Sequence, residues 1–382
     1  MRTIITYANT LHPHRIPGGP PVRTPVVVIT GTDPEPMATL AVGLQWDLPR
    51  AVVVRHHIDA ERGVLERVVS DRTGVVEREE IDLEHACVSC ALREDVVPTL
   101  RRIASDGRWD SVLAHLPVGA EPDQLCAVVA GDTTLARHLR IHAVVVAADG
   151  PRVVEDLLGD ALLRERGLHT SEDDDRGVGE VLSAMVEQAD CVVAPDADGI
   201  GLALLAALAR PGTPVLDDSG DLDAVRLVGE PRHDHTQVLE WTRPDRRGPL
   251  PDLPPAAHGL AWRVDLVSGR PFHPDRLLED IEVLGAGRHR SRGCFWLPTR
   301  PELMGEWEGS GGQLGIGAPR RWHRSYPVTR VVLVGVGQAP GHVHAGFERL
   351  LVTEDELRSR GAAWEVAEDG LEPWLGPVRR VA

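Results

Sequence analysis

Thr24-Pro-Val-Val-Val-Ile-Thr-Gly-Thr-Asp-Pro-Glu-Pro-Met-Ala-Thr39 is the stretch on which the fold turns. The run Val26–Thr30 is β-branched throughout and has no polar alternation, as expected of a strand buried on both faces. Gly31 ends it and opens a turn toward a helix. The same pattern repeats outward along the chain. Apolar runs at Ala51–Ile58, Ser111–Leu116, Ile141–Ala147, Cys191–Ala194 and Pro214–Leu216 alternate with helical candidates such as Leu92–Ile103, Gly177–Gln188 and Gly201–Ala209. That alternation predicts an α/β fold with a mostly parallel sheet covered by helices on both faces. Val64–Ser70 and Val75–Leu83, joined by Asp71-Arg-Thr-Gly74, read as an inserted hairpin.

Composition narrows the chemistry. The 382 residues carry 41 basic and 58 acidic side chains, a formal charge of −17, and every basic residue is Arg. Without a lysine there is no Schiff-base lysine, no phosphate-loop lysine and no Asn-Lys-x-Asp guanine-recognition element. The acidic balance argues against broad nucleic-acid binding, so no DNA partner is expected. No apolar run approaches the roughly 20 residues of a membrane span. Five Cys, an odd number on a long chain, do not suggest a disulfide framework and point to a reducing, cytoplasmic location.

The turn Gly31–Thr39 stands where a mononucleotide-binding fold places its phosphate loop. Gly31 and Thr39 are retained, but the second glycine position is Pro36, the lysine position is Met37, and Asp33 and Glu35 would repel phosphate. Read as a phosphate cradle it is broken; read as a strand-to-helix turn it is complete. The second constellation is Glu84-His-Ala-Cys87-Val-Ser-Cys90, followed by Ala-Leu-Arg-Glu-Asp95. Two Cys at i and i+3 before a helix can aim both sulfurs at one metal ion, with Glu84 and His85 completing a four-ligand shell. A helix N-terminus there would lower the thiol pKa values. Redox chemistry and simple burial are the other two readings of this pair. His56-His57 ends the second strand, and His233-Asp234-His235 forms a second candidate metal site in a segment otherwise read as a solvated linker.

Gly229–His258, crowded with Pro, Arg, Asp and His, reads as that linker, and a smaller α+β unit follows. It contains strands at Trp262–Val267, His289–Leu297, Glu306–Glu308, Gln313–Ile316 and Val328–Val336, and a helix at Pro274–Leu284. Arg270, Arg276, Arg288, Arg290 and Arg292 cluster there in sequence and read either as an anion- or partner-binding surface or as ordinary surface charge. The resulting division is an extension at 1–24, a first domain at 25–228, a linker at 229–258, a second domain at 259–353 and a less ordered polar tail at 354–382.

The order of these features is similar to that of the CobW family, metallochaperone GTPases with a P-loop domain and a CobW C-terminal domain. Cys87-Val-Ser-Cys90-Ala-Leu-Arg-Glu-Asp95, Arg270-Pro-Phe-His-Pro-Asp-Arg276 and Arg292-Gly-Cys-Phe-Trp-Leu297 carry the resemblance, which spans roughly residues 22–353. It implies a P-loop-NTPase-like sheet followed by a smaller α+β domain. Three nucleotide elements depart from the family together. The phosphate loop is altered as above. The switch segment reads His115-Leu-Pro-Val-Gly-Ala-Glu121-Pro122, and Asn-Lys-x-Asp is replaced by Pro195-Asp196-Ala-Asp198, which keeps only Asp198. The family's Cys-x-Cys-Cys is here Cys87-Val-Ser89-Cys90.

This pattern resembles a degenerate actinobacterial branch, and the resemblance implies zinc as the metal, a role in zinc starvation, and a zinc client protein or the ribosome as partner. It leaves GTP and magnesium without a complete site, with Gly31, Thr39 and Asp198 as its remnants. The expected function is therefore a zinc-linked, CobW-like binding factor without GTPase activity. A GTP-dependent zinc metallochaperone and a purely protein-binding scaffold are the alternatives.

Overall fold

The computed structural model describes residues 23–378, except 84–86, 172 and 323–325. Strand β1 (Thr24–Thr30) lies inside an eight-stranded sheet, between β5 (Ser111–His115) and β6 (Leu139–Ala147), parallel to both. Its side chains alternate between two separate cores. Val26 and Val28 pack with Leu100 and Ile103 on one face, whereas Val27 and Ile29 pack with Met37, Leu40 and Leu44 on the other. The unbroken apolar run is thus explained, since both faces of the strand are covered.

Outward from β5 the sheet continues through β2 (Ala51–Asp59), β3 (Val64–Asp71) and β4 (Gly74–Asp82). The last two strands form the expected antiparallel hairpin. On the other side β7 (Cys191–Val193) and β8 (Val215–Leu216) complete it in parallel. Helix α1 (Pro34–Asp47) follows β1, and Asp33 caps it by accepting from the Glu35 N–H at 2.9 Å. Between β4 and β5 run α2 (Val88–Ala91), a π-helical turn at Leu92–Val96 and α3 (Val97–Asp106). Helices α4 (Asp123–Gly131), α5 (Val153–Leu158), α6 (Val178–Gln188), α7 (Gly199–Leu208) and α8 (Ala224–Gly229) cover the rest.

The segment read as a linker is built differently. It contains α9 (His235–Thr242), whose Trp241 is buried and whose Trp241 carbonyl accepts from Arg292 at 3.2 Å. Ala257, near its end, is fully buried. A few apolar residues anchor a stretch that its polar composition assigns to solvent.

The second sheet is antiparallel, in the order β12 (Gln313–Arg321), β11 (Leu303–Ser310), β10 (His289–Phe295), β13 (Thr329–Val336), β9 (Ala261–Ser268). Its core gathers Phe272, Phe295, Trp307 and Phe347, with ring centroids 5.7 to 6.4 Å apart. The expected helix at Pro274–Leu284 is two short ones, α10 (Pro274–Asp280) and α11 (Glu282–Gly285), and α12 (Val343–Leu350) supplies Phe347.

Residues 354–378 are not a loose tail. They form α13 (Glu354–Arg360) and α14 (Glu372–Leu375), and Leu371 and Leu375 enter the same core. Arg300 donates to both carboxylate oxygens of Asp369 at 2.8 Å and to the Leu375 and Gly376 carbonyls, and both side chains are almost wholly buried. Breaking one side of such a pair strands a buried charge, at about 3–5 kcal/mol. Asp369→Ala should therefore lower the unfolding free energy measured in urea by that amount, and an unchanged midpoint would show that this segment does not hold the second core together.

Candidate functional site

Ligand sites of open α/β sheets form at the carboxyl ends of the parallel strands. Here that edge is filled by protein. Met37, at the lysine position, is fully buried, and its Cγ and Sδ lie 3.0 and 3.3 Å from where a Cβ on Gly31 would stand. That same Cβ would collide with the Ala147 carbonyl, so Gly31 is required by close packing whether or not phosphate binds. The switch-equivalent loop closes on this turn. Gly119 N–H donates to the Gly31 carbonyl at 2.9 Å, and Thr30 Oγ1 donates to Ala120 at 2.6 Å.

The other two remnants hold no nucleotide contact by position. Counted from Gly31, G-x-x-x-x-G-K-[ST] puts the magnesium-holding hydroxyl at Ala38, while Thr39 lies one residue later and is exposed. Asp198 caps α7, accepting from the Gly201 N–H at 2.7 Å.

The cysteines stand near the switch-equivalent loop, where Ser89 between them donates to Gln124 at the start of α4 at 2.8 Å. Cys87 caps α2, its sulfur accepting from the Cys90 N–H at 3.4 Å. The Cys90 thiol is raised rather than lowered, first by its hydrogen bond to Cys87 and then by burial. Cys90 therefore keeps its proton, and a four-residue helix does not impose the expected drop. Glu84 and His85 lie outside the described residues, and among the described residues no group of three His, Cys, Asp or Glu is gathered as a metal shell. Cys126, Cys191 and Cys294 are also buried, and burial pushes their thiols above their ordinary value.

What fixes the cysteine helix was only half visible in the sequence. His56, at the end of β2, reaches Asp95 in the π-helical turn at 2.8 Å, and Asp95 also pairs with Arg67 of β3. Arg67 continues to Glu77 at 2.5 Å and to Glu79, and donates to Thr99 at 3.1 Å. This chain, buried at His56, Arg67, Asp95 and Thr99, ties the hairpin to the turn after Cys90. The His56-His57 dipeptide was its one sequence signal.

The second candidate metal site is drawn into structure. Asp234 caps α9 through the Thr236 and Gln237 N–H groups, and His233 Nδ1 pairs with Asp190 at 2.9 Å. The two imidazoles lie 6.2 Å apart between centroids. Of the arginines grouped in sequence, Arg270, Arg276 and Arg288 are dispersed to Glu348, Glu356 and Glu155, while Arg290 and Arg292 stay together on Glu187.

Two family models match the chain. CobW/HypB/UreG, nucleotide-binding domain, matches residues 58–210, beginning after Gly31–Thr39, and the cobalamin synthesis protein cobW C-terminal domain matches residues 262–351. A Mycobacterium tuberculosis protein named a zinc chaperone is 29% identical over 331 residues, covering 82% of this chain and 77% of its own. Zinc-regulated GTPase metalloprotein activator 1 of Dictyostelium discoideum is 21% identical over 254 residues, covering 62% and 53%. The crystal structure of Zn(II)-bound YjiA GTPase from E. coli aligns over 86% of this chain and 99% of its own, at 16% identity and a TM-score of 0.33. No helix among the described residues is long and apolar enough to cross a membrane.

The closed edge carries two opposed titrations. Burial lowers His115 from 6.5 to about 4, so the unfolded chain takes up this proton first and stability falls as the pH drops between those values. Burial raises Glu121 from 4.5 to about 7, so the native state takes up that proton first and stability rises as the pH falls through that window. In unfolding titrations His115→Gln should flatten the acid loss and Glu121→Gln should steepen it. Equal slopes in all three proteins would show that neither group titrates as its burial requires.

Proposed function

The chain belongs to the CobW family, and on that premise we propose that it serves zinc homeostasis in the cytoplasm as a metal-binding protein that does not hydrolyse GTP. The observation that carries the second half is Met37. A buried thioether occupies the position where the family's lysine would neutralise phosphate, and Gly31 and the loop to Gly119 are packed against one another. Ala38 and Pro195-Asp196 lack the magnesium and guanine contacts in the same region.

The metal half rests on Cys87 and Cys90, which supply two soft donors held close by a capping hydrogen bond. Zinc would displace the thiol protons on binding, with Glu84 and His85 as the remaining ligands. The relatives named for zinc support this choice of ion. The proposed partners are a zinc client protein, or the ribosome under zinc limitation. The proposed division is a first domain at 25–228 and a second at 259–353, with the segment 354–378 joined to the second core.

With magnesium and GTP, the protein should show no thermal shift and release no phosphate. A rise of several degrees, which ligand linkage predicts for saturating binding, would restore the GTP-dependent metallochaperone reading. Zinc titration should release protons, and a Cys87→Ser, Cys90→Ser double variant should bind at least tenfold more weakly. Equal affinity would remove the cysteines from the site.

The partner has its own measurement. A pull-down from zinc-starved lysate should retain ribosomal proteins, and a zinc-loaded client recovered in their place would favour a soluble carrier.

A further inference from the structure

The seam between the two sheets holds more positive charge than its ion pairs balance. Glu187 at the end of α6 lies 3.2 Å from Arg290 and 3.4 Å from Arg292, both on β10, and Glu308 of β11 also pairs with Arg290. Arg330 of β13 is held by both oxygens of Asp265 at 2.6 and 2.8 Å, and Arg243 is held by Asp245 at 2.9 Å. Two more guanidinium groups reach the same place. Arg246 donates to the Pro249 carbonyl at 3.5 Å and Arg263 to the Pro251 carbonyl, and among the described residues neither has a carboxylate in ion-pair contact. Asp265, Glu240 and Asp252 attract them only from farther away.

These groups line a small cleft and the cavity beside it, floored by Trp241, Leu250 and Val332. Trp241 is 6% exposed, and its indole N–H is buried with no hydrogen-bond partner. The guanidinium groups of Arg246 and Arg292 stand over the Trp241 ring at 5.2 and 5.3 Å. Buried donors are normally satisfied, and guanidinium groups crowded together in a half-desolvated cleft repel one another. Burial and the neighbouring arginines push Arg246 and Arg263 below their ordinary pKa. One small anion would answer both deficits. Forked donors suit carboxylate and phosphate alike, but donors converging from several directions favour a tetrahedral oxyanion.

We propose that this cleft, between α9 and the β10–β13 pair, binds a phosphate-sized oxyanion through Arg246, Arg263 and the Trp241 indole N–H. The oxyanion is either free or the phosphoryl group of a small phosphomonoester. Arg292 and Arg330, already paired, complete the positive surround. The site joins the segment after α9 to the second sheet, where Arg330 already donates to the Arg246 carbonyl at 2.6 Å. It requires neither zinc nor the cysteines.

Thermal shift and calorimetry on the full chain would compare inorganic phosphate and glycerol 3-phosphate with sodium chloride at matched ionic strength. Saturable stabilisation by phosphate beyond chloride is expected. Arg246→Gln and Arg263→Gln should each weaken it at least tenfold, Trp241→Phe about threefold, and Arg50→Gln, at a distant exposed ion pair, not at all. Arg246→Lys keeps the charge and loses the fork, so it should retain part of the affinity and guards against reading a folding defect as lost binding. Equal affinity for both ligands identifies the phosphoryl group as what is read, and a preference for the ester identifies a phosphomonoester. Phosphate no better than chloride, or an unchanged response in an Arg246→Gln, Arg263→Gln double variant, would overturn the proposal.

Discussion

Glu187 sets how the two halves of the molecule meet. Its carboxylate, at the end of a helix of the first unit, is buried between Arg290 and Arg292 of the second. Removing such charges from water is expensive, and the pairing offsets that cost only when the geometry is met. A different docking would leave Glu187 without a cation, so the charge selects the arrangement even where it adds little net stability. Apolar contact then fills in around it. Val332 and Val334 of β13 join the core of Ala203, Leu204 and Leu208 from α7, and Ser310 donates across the seam to the Leu157 carbonyl at 2.6 Å. The cationic cleft is a by-product of that docking, since it brings Arg292 of β10 beside Arg246 after α9.

The nucleotide edge shows how motif residues outlast a motif. Gly31 remains because a side chain would strike the Ala147 carbonyl, and Asp198 remains useful as a helix cap. Neither observation requires phosphate or guanine. A surviving letter in a consensus therefore says little until its neighbours are known. Met37 is the more telling position, because a fully buried thioether in a packed core leaves no route for a charged group to replace it without stranding that charge.

The cysteine pair depends on remote residues. The turn after Cys90 is held by Asp95, which answers to His56 on β2 and to Arg67 on β3, and Arg67 extends to Glu77 and Glu79 on β4. A change in the hairpin is thus felt where the sulfurs sit. That coupling runs through buried, mutually dependent charges, where removing one member exposes the others to desolvation without compensation.

Much of the frame was legible in the residues themselves. Strand runs such as Val26–Thr30, the hairpin around Asp71–Gly74 and the antiparallel strands of the second unit follow from side-chain period and turn chemistry, which are local. The Cys87–Cys90 spacing and the absence of lysine are likewise facts of the chain. Long-range pairing was not legible. The polar stretches at 229–258 and beyond 354 are folded because single residues, Trp241, Arg300 with Asp369, and Leu371, find partners far away in sequence. Arg270, Arg276 and Arg288 are neighbours of Arg290 and Arg292 in sequence but pair elsewhere in space, while Arg246, Arg263, Arg292 and Arg330 are brought together from four segments. Residue type fixes which charges exist, and only the docking of the two sheets decides which of them are balanced, because ion pairing depends on distance in space and not on order along the chain.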